Sequence, residues 1–398
     1  MKVSGSGKYH IAIDQGGLSE ALSSKLFKIL ENLMAMKNIH HALMAIETGD
    51  RSTFWSASAG SADADKTPLQ PYTPFMVASI TKTFIATAIL KLQEEGCLDI
   101  WRPAADYLPP ELIEDLHILK GTDYSRRITI YNLLSHTSGL PDYIEERPRG
   151  GISLVEKILK EGDTSFSTEF CINLARESLK PHFPPQDPEA KKPVARYSDT
   201  NYRLLIAIIE KMTGKDQQKA FEELLFKPLE LKYSYLPGES PLEPVDKHTT
   251  LWFKDQPLDI PLALRSFGDF YSTTKDLIRF MRALVEGNVF KDPAVFSLMQ
   301  KRWNRFGFSL DPARLRSPGW PIEYGLGLMR FQLPPIFTSF KPIPAVIGHT
   351  GSTGTWLFYC PDLDLYLAGC LDQVTAGAVP YRVVPIILKQ VISMLPDY

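Results

Sequence analysis

The sequence predicts an α/β layer built from both ends of the chain, with a mostly helical segment inserted between them. The N-terminal part has the pattern helix, hairpin, helix, and the C-terminal part has successive strands followed by a closing helix. Between about residues 105 and 300, short helical patterns dominate. We therefore expect a discontinuous sheet domain, 1–104 and 301–398, and a mostly helical domain, 105–300.

Hydrophobic spacing defines the elements at the N-terminal end. Apolar residues recur every three to four positions over 18–36, which predicts an amphipathic helix. Two apolar-rich runs, 41–47 and 52–59, flank the turn sequence Thr48-Gly49-Asp50-Arg51 and predict a β-hairpin. Residues 73–95 have the apolar spacing of a largely buried helix.

The rest of the chain is a series of shorter patterns. Helices are predicted at 128–134, 153–161, 167–179, 204–212, 217–226 and 273–286. A proline-dense polar stretch, 181–193, predicts an exposed loop. Towards the C-terminal end, strands are predicted at 323–331, 345–348, 355–360 and 363–370, and a helix at 379–394.

Composition narrows the classes of partner. The formal net charge is −2 over 398 residues, so electrostatics does not favour nucleic acid or a membrane surface as a partner. No apolar run approaches the roughly 18 residues of a membrane span, and the first residues do not resemble a signal peptide, so we expect a cytoplasmic protein. The four cysteines and eight histidines show no metal-binding spacing. We expect reduced, mostly buried thiols, no metal and no cofactor.

Ser79 and Lys82 begin the buried helix of 73–95. Residues three apart on a helix are surface neighbours, about 5–6 Å apart at Cβ, so the hydroxyl and the amine are expected side by side. A serine hydroxyl is a poor nucleophile until a base takes its proton. Lys82 is a candidate base, but an ordinary lysine pKa of about 10.4 leaves very little neutral amine at pH 7. Ser-x-x-Lys alone is a weak signal, and its meaning depends on other residues.

Tyr197 offers Lys82 a partner. A tyrosine must also lose a proton to act as a base, and a neighbouring lysine cation favours its phenolate. A Lys82–Tyr197 pair that shares one proton solves the problem for both residues, and such a pair titrates as a unit. Asp199 lies two positions further on, where it is either a site residue or part of the start of the next helix.

A third stretch, His349-Thr350-Gly351-Ser352, lies in a predicted tight turn between two strands. Gly351 lets the backbone approach a substrate closely because it has no side chain. The backbone amides of Ser79 and Ser352 could then point at an acyl oxygen as it becomes negative.

Together, Ser79-x-x-Lys82, Tyr197-x-Asp199 and His349-Thr350-Gly351 resemble, in order and spacing, the three motifs of the penicillin-recognising serine hydrolases. This family comprises class C β-lactamases, D-Ala-D-Ala carboxypeptidases, D-aminopeptidases and family VIII carboxylesterases. The resemblance covers about residues 15–395, with further similar stretches at 133–143, 197–205, 266–277 and 324–328.

The resemblance implies a fold, a site and a class of reaction. It implies an antiparallel sheet with helices on both faces, a helical domain, and an active site between them. Ser79 would be the acylated nucleophile, Lys82 and Tyr197 the general base and acid, and the N–H groups of Ser79 and Ser352 the oxyanion hole. The residues that contact the substrate would be Asp199, His349, Thr350 and Gly351. The substrate would be a small molecule, either a carboxylic ester or a D-amino-acid amide or peptide.

The chain departs from the β-lactamase pattern at two positions. Asp199 stands where those enzymes carry asparagine, and an ionised carboxylate cannot donate a hydrogen bond to a substrate amide. It could also pair with Lys82, hold the lysine charged, and move the base role towards Tyr197. His349 stands where they carry lysine, and a mostly neutral histidine is a poorer anchor for a substrate carboxylate. Both departures favour an esterase over a β-lactamase.

Several alternatives stay open at the level of the sequence. His136, Ser138 and Asp142 offer a second Ser-His-Asp set, although they crowd into one short turn. His349 is a second candidate base for Ser79. The same motifs also suit an acyltransferase, a β-lactamase or a D-Ala-D-Ala carboxypeptidase, and a different class of protein would be a non-catalytic homologue that binds a ligand.

Overall fold

An antiparallel sheet of ten strands forms the centre of the molecule in this computed structural model. The structure describes residues 2–3, 11–245, 247–307, 318–319, 321–334 and 342–394. The strands in these ranges are β1 (Lys2–Val3), β2 (Ile11–Gly16), β3 (His41–Thr48), β4 (Phe54–Gly60), β5 (Phe75–Met76), β6 (Ile118–Leu119), β7 (Thr122–Asp123), β8 (Leu251–Phe253), β9 (Gln256–Leu258), β10 (Tyr271–Ser272), β11 (Asn304–Arg305), β12 (Glu323–Tyr324), β13 (Met329–Phe331), β14 (Val346–Thr350), β15 (Trp356–Cys360) and β16 (Leu365–Cys370).

The strand order confirms the α/β class and the antiparallel sheet that the resemblance implies. The order is β1-β2-β4-β3-β16-β15-β14-β13-β12-β11, and each neighbouring pair is antiparallel. The N-terminal hairpin therefore joins the C-terminal strands at the β3–β16 pair. Outside this sheet, β5 pairs with β10, β6 with β7, and β8 with β9.

Strand β3 shows why the sheet lies between two layers. Its buried side chains alternate, so that Ala42, Met44 and Ile46 enter one hydrophobic core and Leu43 and Ala45 enter another. Successive side chains of a strand point to opposite faces, so each core covers one face of the sheet.

Helices cover both of these faces. Those in the described ranges are α1 (Glu20–Met34), α2 (Thr81–Glu94), α3 (Pro110–Ile113), α4 (Ile130–Leu134), α5 (Leu154–Glu161), α6 (Thr168–Asn173), α7 (Asp199–Thr213), α8 (Gln217–Phe221), α9 (Pro261–Phe267), α10 (Thr274–Val285), α11 (Ala294–Gln300) and α12 (Pro380–Ile392). On one face α1 packs against α12, β3 and β4, and on the other α10 packs against β3, β15 and β16. Helix α2 packs against α7, which also contacts α4 and α8. The division into 1–104, 105–300 and 301–398 stays a prediction.

The expectation of one strand over 323–331 is wrong. The segment forms the short hairpin β12–β13, in which Tyr324 lies opposite Met329. Gly327 has a φ of +71°, a left-handed conformation that glycine adopts without a steric penalty and that reverses the chain. A Cβ atom at Gly327 would also lie 2.2 Å from Ala86 Cβ on α2, so this turn packs directly against the helix that Ser79 precedes.

The helices and the cysteines can be compared with what the composition predicted. Among the described residues, no helix combines the length and the apolar character needed to cross a bilayer. All four cysteines are free, as predicted, with Cys97 exposed and Cys171, Cys360 and Cys370 buried.

Candidate active site

Ser79 lies in a short 3-10 turn, Ala78–Ile80, that runs directly into α2. Lys82 Nζ donates a hydrogen bond of 3.1 Å to Ser79 Oγ, as the spacing of three residues predicts. Ala78 has a φ of +51°, which is unusual for a residue with a side chain. The serine is thus held at the entrance of a buried helix, within reach of an amine.

Lys82 forms an ion pair with Asp199, the first residue of α7. Burial of Lys82 opposes its charge, but the negative charges of Asp199 and Asp269 outweigh this effect and raise the pKa of Lys82 above its usual value. The lysine is therefore a cation in the free protein. The pairing with Asp199 is the one anticipated from the departure at that position.

Tyr197 lies beside this ion pair. Lys82 Nζ is 5.0 Å from the centre of the Tyr197 ring. The Tyr197 hydroxyl is buried, and within the described ranges no atom makes a hydrogen bond of normal geometry with it, although Lys82 and Ser79 are close enough to lower its pKa. Burial dominates and raises the pKa of Tyr197 above its usual value, so the phenol is neutral.

The turn between β14 and β15 packs against the Ser79 turn. Thr355 Oγ1 donates a hydrogen bond of 2.9 Å to Val77 O, which precedes Ala78 in the chain. A Cβ atom at Gly351 would lie 2.1 Å from Thr355 Oγ1 and 2.8 Å from Ala78 Cβ, so only glycine fits there. The N–H of Ser352, in the same turn, has no acceptor within the described part of the chain.

His349 lies behind this turn, fully buried, and is not among the residues that line the cleft described below. Its Nδ1 lies 2.7 Å from Thr350 O and its Nε2 lies 3.1 Å from the Tyr324 hydroxyl. Nδ1 must donate, because a carbonyl oxygen only accepts. Burial, followed by the charge of Lys82, lowers the pKa of His349 to about 3, so the ring is neutral.

The alternative set of His136, Ser138 and Asp142 does not form a triad. His136 Nδ1 is 2.9 Å from Asn201 Nδ2 and also accepts a hydrogen bond of 3.2 Å from the Ser198 amide. Ser138 Oγ donates to Asn201 Oδ1 at 2.6 Å. These polar groups fix the turn onto α7, and no Ser138–His136 hydrogen bond forms among the described residues.

A cleft of about 680 Å³ contains the predicted site residues other than His349. From the three motifs it is lined by Ser79, Lys82, Tyr197, Asp199, Thr350, Gly351 and Ser352. One wall is apolar and includes Ile158, Ile206, Leu258, Ile260, Leu264 and Phe267. The lining residues come from both the terminal segments and the 105–300 segment.

Asp269 also lines the cleft, and the sequence analysis did not single it out. Burial raises the pKa of Asp269 to about 6, while the charge of Lys82 opposes this effect. The sequence did contain a pointer to this residue, because Asp269 lies inside the stretch 266–277 that resembles the family. Its nearness to Lys82 arises from the β5–β10 pair, which links segments far apart in the chain.

One group of three residues in the described ranges has atoms suited to a metal ion. The ligand atoms of His41, Cys370 and Asp372 lie within 4.8 Å of one another, and all three residues are buried. His41 Nε2 is 3.3 Å from Asp372 Oδ2, and the Thr249 hydroxyl donates to the same carboxylate. This group lies at the β3–β16 pair, outside the cleft lining. The expectation of no metal stays a prediction.

Comparison with known proteins agrees with the family resemblance of the three motifs. A family model described as Beta-lactamase matches residues 26–377. PbpX of Bacillus subtilis (strain 168), named as a penicillin-binding protein, is 28% identical over 261 residues, which cover 65% of this chain and 54% of PbpX. The chain thus spans little more than half the length of this relative.

Solved structures extend the likeness to nearly the whole chain. A D-stereospecific amidohydrolase from Streptomyces sp. is 25% identical with a TM-score of 0.68, covering 94% of this chain and 99% of that one. EstCE1, described as a hydrolase with promiscuous acyltransferase activity, is 19% identical with a TM-score of 0.69, covering 94% of this chain and 98% of that one. At 19% identity the likeness to EstCE1 concerns the fold.

Proposed function

Because the chain belongs to the beta-lactamase family, whose model matches residues 26–377, we propose that it is a serine hydrolase that forms an acyl-enzyme at Ser79. The observation that carries the proposal is the hydrogen bond of 3.1 Å between Lys82 Nζ and Ser79 Oγ in a cleft that Tyr197 and Asp199 also line. A nucleophile within hydrogen-bond reach of a proton-transfer group that a third residue orients is the arrangement covalent catalysis needs.

Tyr197 carries the proton in the proposed reaction. Ser79 Oγ attacks the substrate carbonyl carbon and passes its proton to the Tyr197 oxygen, while the phenol proton moves to the leaving group. Lys82, held as a cation by Asp199, stabilises the negative charge that develops on the Tyr197 oxygen during this transfer. Water then attacks the acyl-enzyme and passes a proton to the Tyr197 oxygen, while the phenol proton moves to Ser79 Oγ as the carboxylic acid product leaves. This scheme is supported by the raised pKa values of Lys82 and Tyr197, which describe a cation and a neutral phenol.

The N–H groups of Ser79 and Ser352 are proposed to bind the acyl oxygen. The Ser352 amide has no acceptor in the described ranges, and Ser79 is the second residue of the 3-10 turn, where amides lack partners within the helix. One such donor typically contributes about 2.7–4 kcal/mol to stabilising the transition state. Thr350 and Gly351, which line the cleft, are proposed to contact the substrate next to this oxygen.

A carboxylic ester is the proposed first substrate class, and a D-amino-acid amide or peptide is the second. Asp199 is supported as an esterase feature because it is engaged by Lys82 and offers no donor to a substrate amide. A neutral His349 supplies no positive charge for the carboxylate of a β-lactam. Similarity to the D-stereospecific amidohydrolase from Streptomyces, at 25% identity, supports D-amino-acid amides as the second substrate class.

An acyltransferase is a second candidate. The apolar cleft wall supports it, because an acceptor with an apolar group would bind there in place of water. The description of EstCE1 as a hydrolase with acyltransferase activity is consistent with one fold carrying both reactions.

A three-way assay tests the proposal. A short-chain aryl ester, a chromogenic cephalosporin and a D-Ala-D-Ala peptide are compared, with Ser79→Ala as the control. The ester is expected to have the highest kcat/KM, and Ser79→Ala to abolish turnover. A cephalosporin as the best substrate would overturn the weight given to Asp199 and His349, and activity that survives in Ser79→Ala would overturn the proposed nucleophile. Adding a primary alcohol to the ester reaction distinguishes the acyltransferase, since a transferred ester would then appear among the products.

A further inference from the structure

Asp269 brings into the cleft a carboxylate that the proposed reaction does not use. Its position is fixed on both sides: its N–H donates to Leu264 O at 3.2 Å, and the next carbonyl, Phe270 O, accepts from Val77 N at 3.0 Å. Val77 lies two residues before Ser79, so the backbone that carries Asp269 is tied to the turn that carries the nucleophile.

Among the described residues, the charge of Asp269 has no basic group in direct contact. Lys82 makes its close ion pair with Asp199, and among the described residues no basic group lies within 4.0 Å of the Asp269 carboxylate. The Thr81 hydroxyl and the more distant charge of Lys82 favour its ionised form, and with a pKa of about 6 Asp269 is ionised at neutral pH. One lysine cation is thus shared by two carboxylates, and Asp199 takes the contact.

An apolar surface adjoins this carboxylate. Leu264 and Phe267 come from α9, directly before Asp269 in the chain, and Ile206 of α7 packs so closely that a Cβ atom at Gly268 would lie 2.5 Å from its Cδ1. All three line the cleft together with Asp269. Asp269 therefore lines the same cleft as Ser79 and as these apolar side chains.

We propose that Asp269 binds a protonated amine of the substrate, so that the preferred substrates are esters or amides of amino acids with apolar side chains. This inference rests on the proposed function at Ser79. In such a substrate one carbon separates the ammonium group from the acyl carbon, so the amine lies beside the reacting carbonyl. The same carbon carries the side chain, which enters the apolar wall of Leu264, Phe267 and Ile206. An ammonium group would give Asp269 the close positive partner that the described part of the chain does not supply.

Matched esters test the proposal. The methyl ester of phenylalanine, as each enantiomer, is compared with methyl 3-phenylpropanoate, which has hydrogen in place of the ammonium group. The measured quantity is the ratio of kcat/KM for the charged ester to that for the neutral one. A hydrogen-bonded ion pair in a partly buried site is expected to favour the charged ester of one enantiomer by roughly 10- to 100-fold. Asp269→Asn is expected to reduce this ratio to about one, because its amide keeps the shape and loses the charge.

Glu145→Gln is the matched control, since Glu145 is another carboxylate that lines the same cleft. Its ratio is expected to stay at the wild-type value. The proposal would be overturned by a wild-type ratio near one, by an equal fall of kcat/KM for both esters in Asp269→Asn, or by an equal fall of the ratio in Glu145→Gln. Hydrolysis of either ester would still support the proposed function. Failure to hydrolyse both esters, together with no labelling of Ser79, would overturn the proposed function and this inference with it.

Inhibition of the wild-type protein supplies a test that does not depend on the variant folding. 2-Phenylethylamine and 2-phenylethanol, which differ in the charged group, are compared as competitive inhibitors of neutral ester hydrolysis. The amine is expected to have the lower inhibition constant by roughly 10-fold or more. Equal inhibition constants would contradict the binding of a cation at Asp269.

Discussion

At Lys82, two opposing effects decide which residue can accept the proton of Ser79. Burial disfavours the lysine cation, whereas the carboxylates of Asp199 and Asp269 favour it, and these charges prevail. A base with a raised pKa is protonated throughout the neutral range, so in the proposed reaction Lys82 acts as a cation beside the neutral Tyr197. The change from asparagine to Asp199 thus alters the role of the lysine, and with it the expected dependence on pH.

Asp199→Asn tests this role of Lys82. Without the carboxylate, the strongest effect favouring the cation is lost, so burial is expected to lower the pKa of Lys82. Wild-type kcat/KM for an ester is expected to hold through the alkaline range that the fold tolerates, whereas the variant is expected to lose activity there as Lys82 becomes neutral. The measurement is the pH profile of kcat/KM for both proteins.

The exposed carboxylate Asp362 provides the control, because Asp362→Asn is expected to leave the profile unchanged. Higher activity of Asp199→Asn in the neutral and alkaline range would show that neutral Lys82 is the base, and would contradict the scheme through Tyr197.

At the scale of elements, the site depends on how closely the β14–β15 turn approaches the Ser79 turn. The hydrogen bond from Thr355 Oγ1 to Val77 O ties the two together, and Gly351 leaves no room for a side chain between them. This contact sets the distance between the Ser79 and Ser352 amides, on which the proposed binding of the acyl oxygen depends.

Gly351→Ala is therefore expected to separate the two turns. Its methyl group would meet Thr355 Oγ1 at 2.1 Å and Val77 O at 2.9 Å, so the backbone must move. Overpacking of this kind typically costs about 1–3 kcal/mol of stability, and displacement of catalytic groups by about 1 Å can lower the rate roughly 100-fold. Gly16→Ala is the matched control, since no atom lies within 4 Å of a Cβ atom there. Thermal unfolding and ester kcat/KM are measured for both variants, and wild-type activity in Gly351→Ala would contradict the close approach.

At the scale of the whole molecule, two buried histidines are expected to make the free energy of unfolding depend on pH in the acid range. His136 contacts the start of α7 and His349 lies in β14, and burial is the main cause of the lowered pKa of each. An unfolded chain protonates these rings near the ordinary pKa of 6.5, whereas the folded protein keeps His349 neutral down to about pH 3. The unfolded state therefore gains protons first as the pH falls, and the protein loses stability between pH 6.5 and 3.

His349→Gln measures this effect. At pH 5, which is about 1.5 units below the ordinary histidine pKa, the contribution of one such histidine is about 2 kcal/mol. The free energy of unfolding in urea at pH 7.5 and pH 5 is expected to fall less in the variant than in the wild type by about this amount. The exposed His248 is the control, and His248→Gln is expected to retain the full loss. An equal loss in His349→Gln and the wild type would contradict the neutral buried ring.

The sequence predicted those features that depend on local spacing. The hairpin β3–β4 followed from two apolar runs around a turn, and the contact between Ser79 and Lys82 followed from helical periodicity. Two features that depend on contacts between distant segments were not predicted. The β12–β13 hairpin arises where Gly327 packs on α2, and Asp269 reaches the cleft through the β5–β10 pair. Spacing along the chain carries no information on either contact.

Covalent labelling of Ser79 tests the central claim most directly. The protein is treated with a fluorophosphonate, digested, and analysed by mass spectrometry, with Ser79→Ala as the control and thermal unfolding as the check on folding. The account predicts one adduct, on the peptide that contains Ser79, and none in Ser79→Ala. A folded wild-type protein that forms no adduct, or an adduct on another serine such as Ser138, would contradict it.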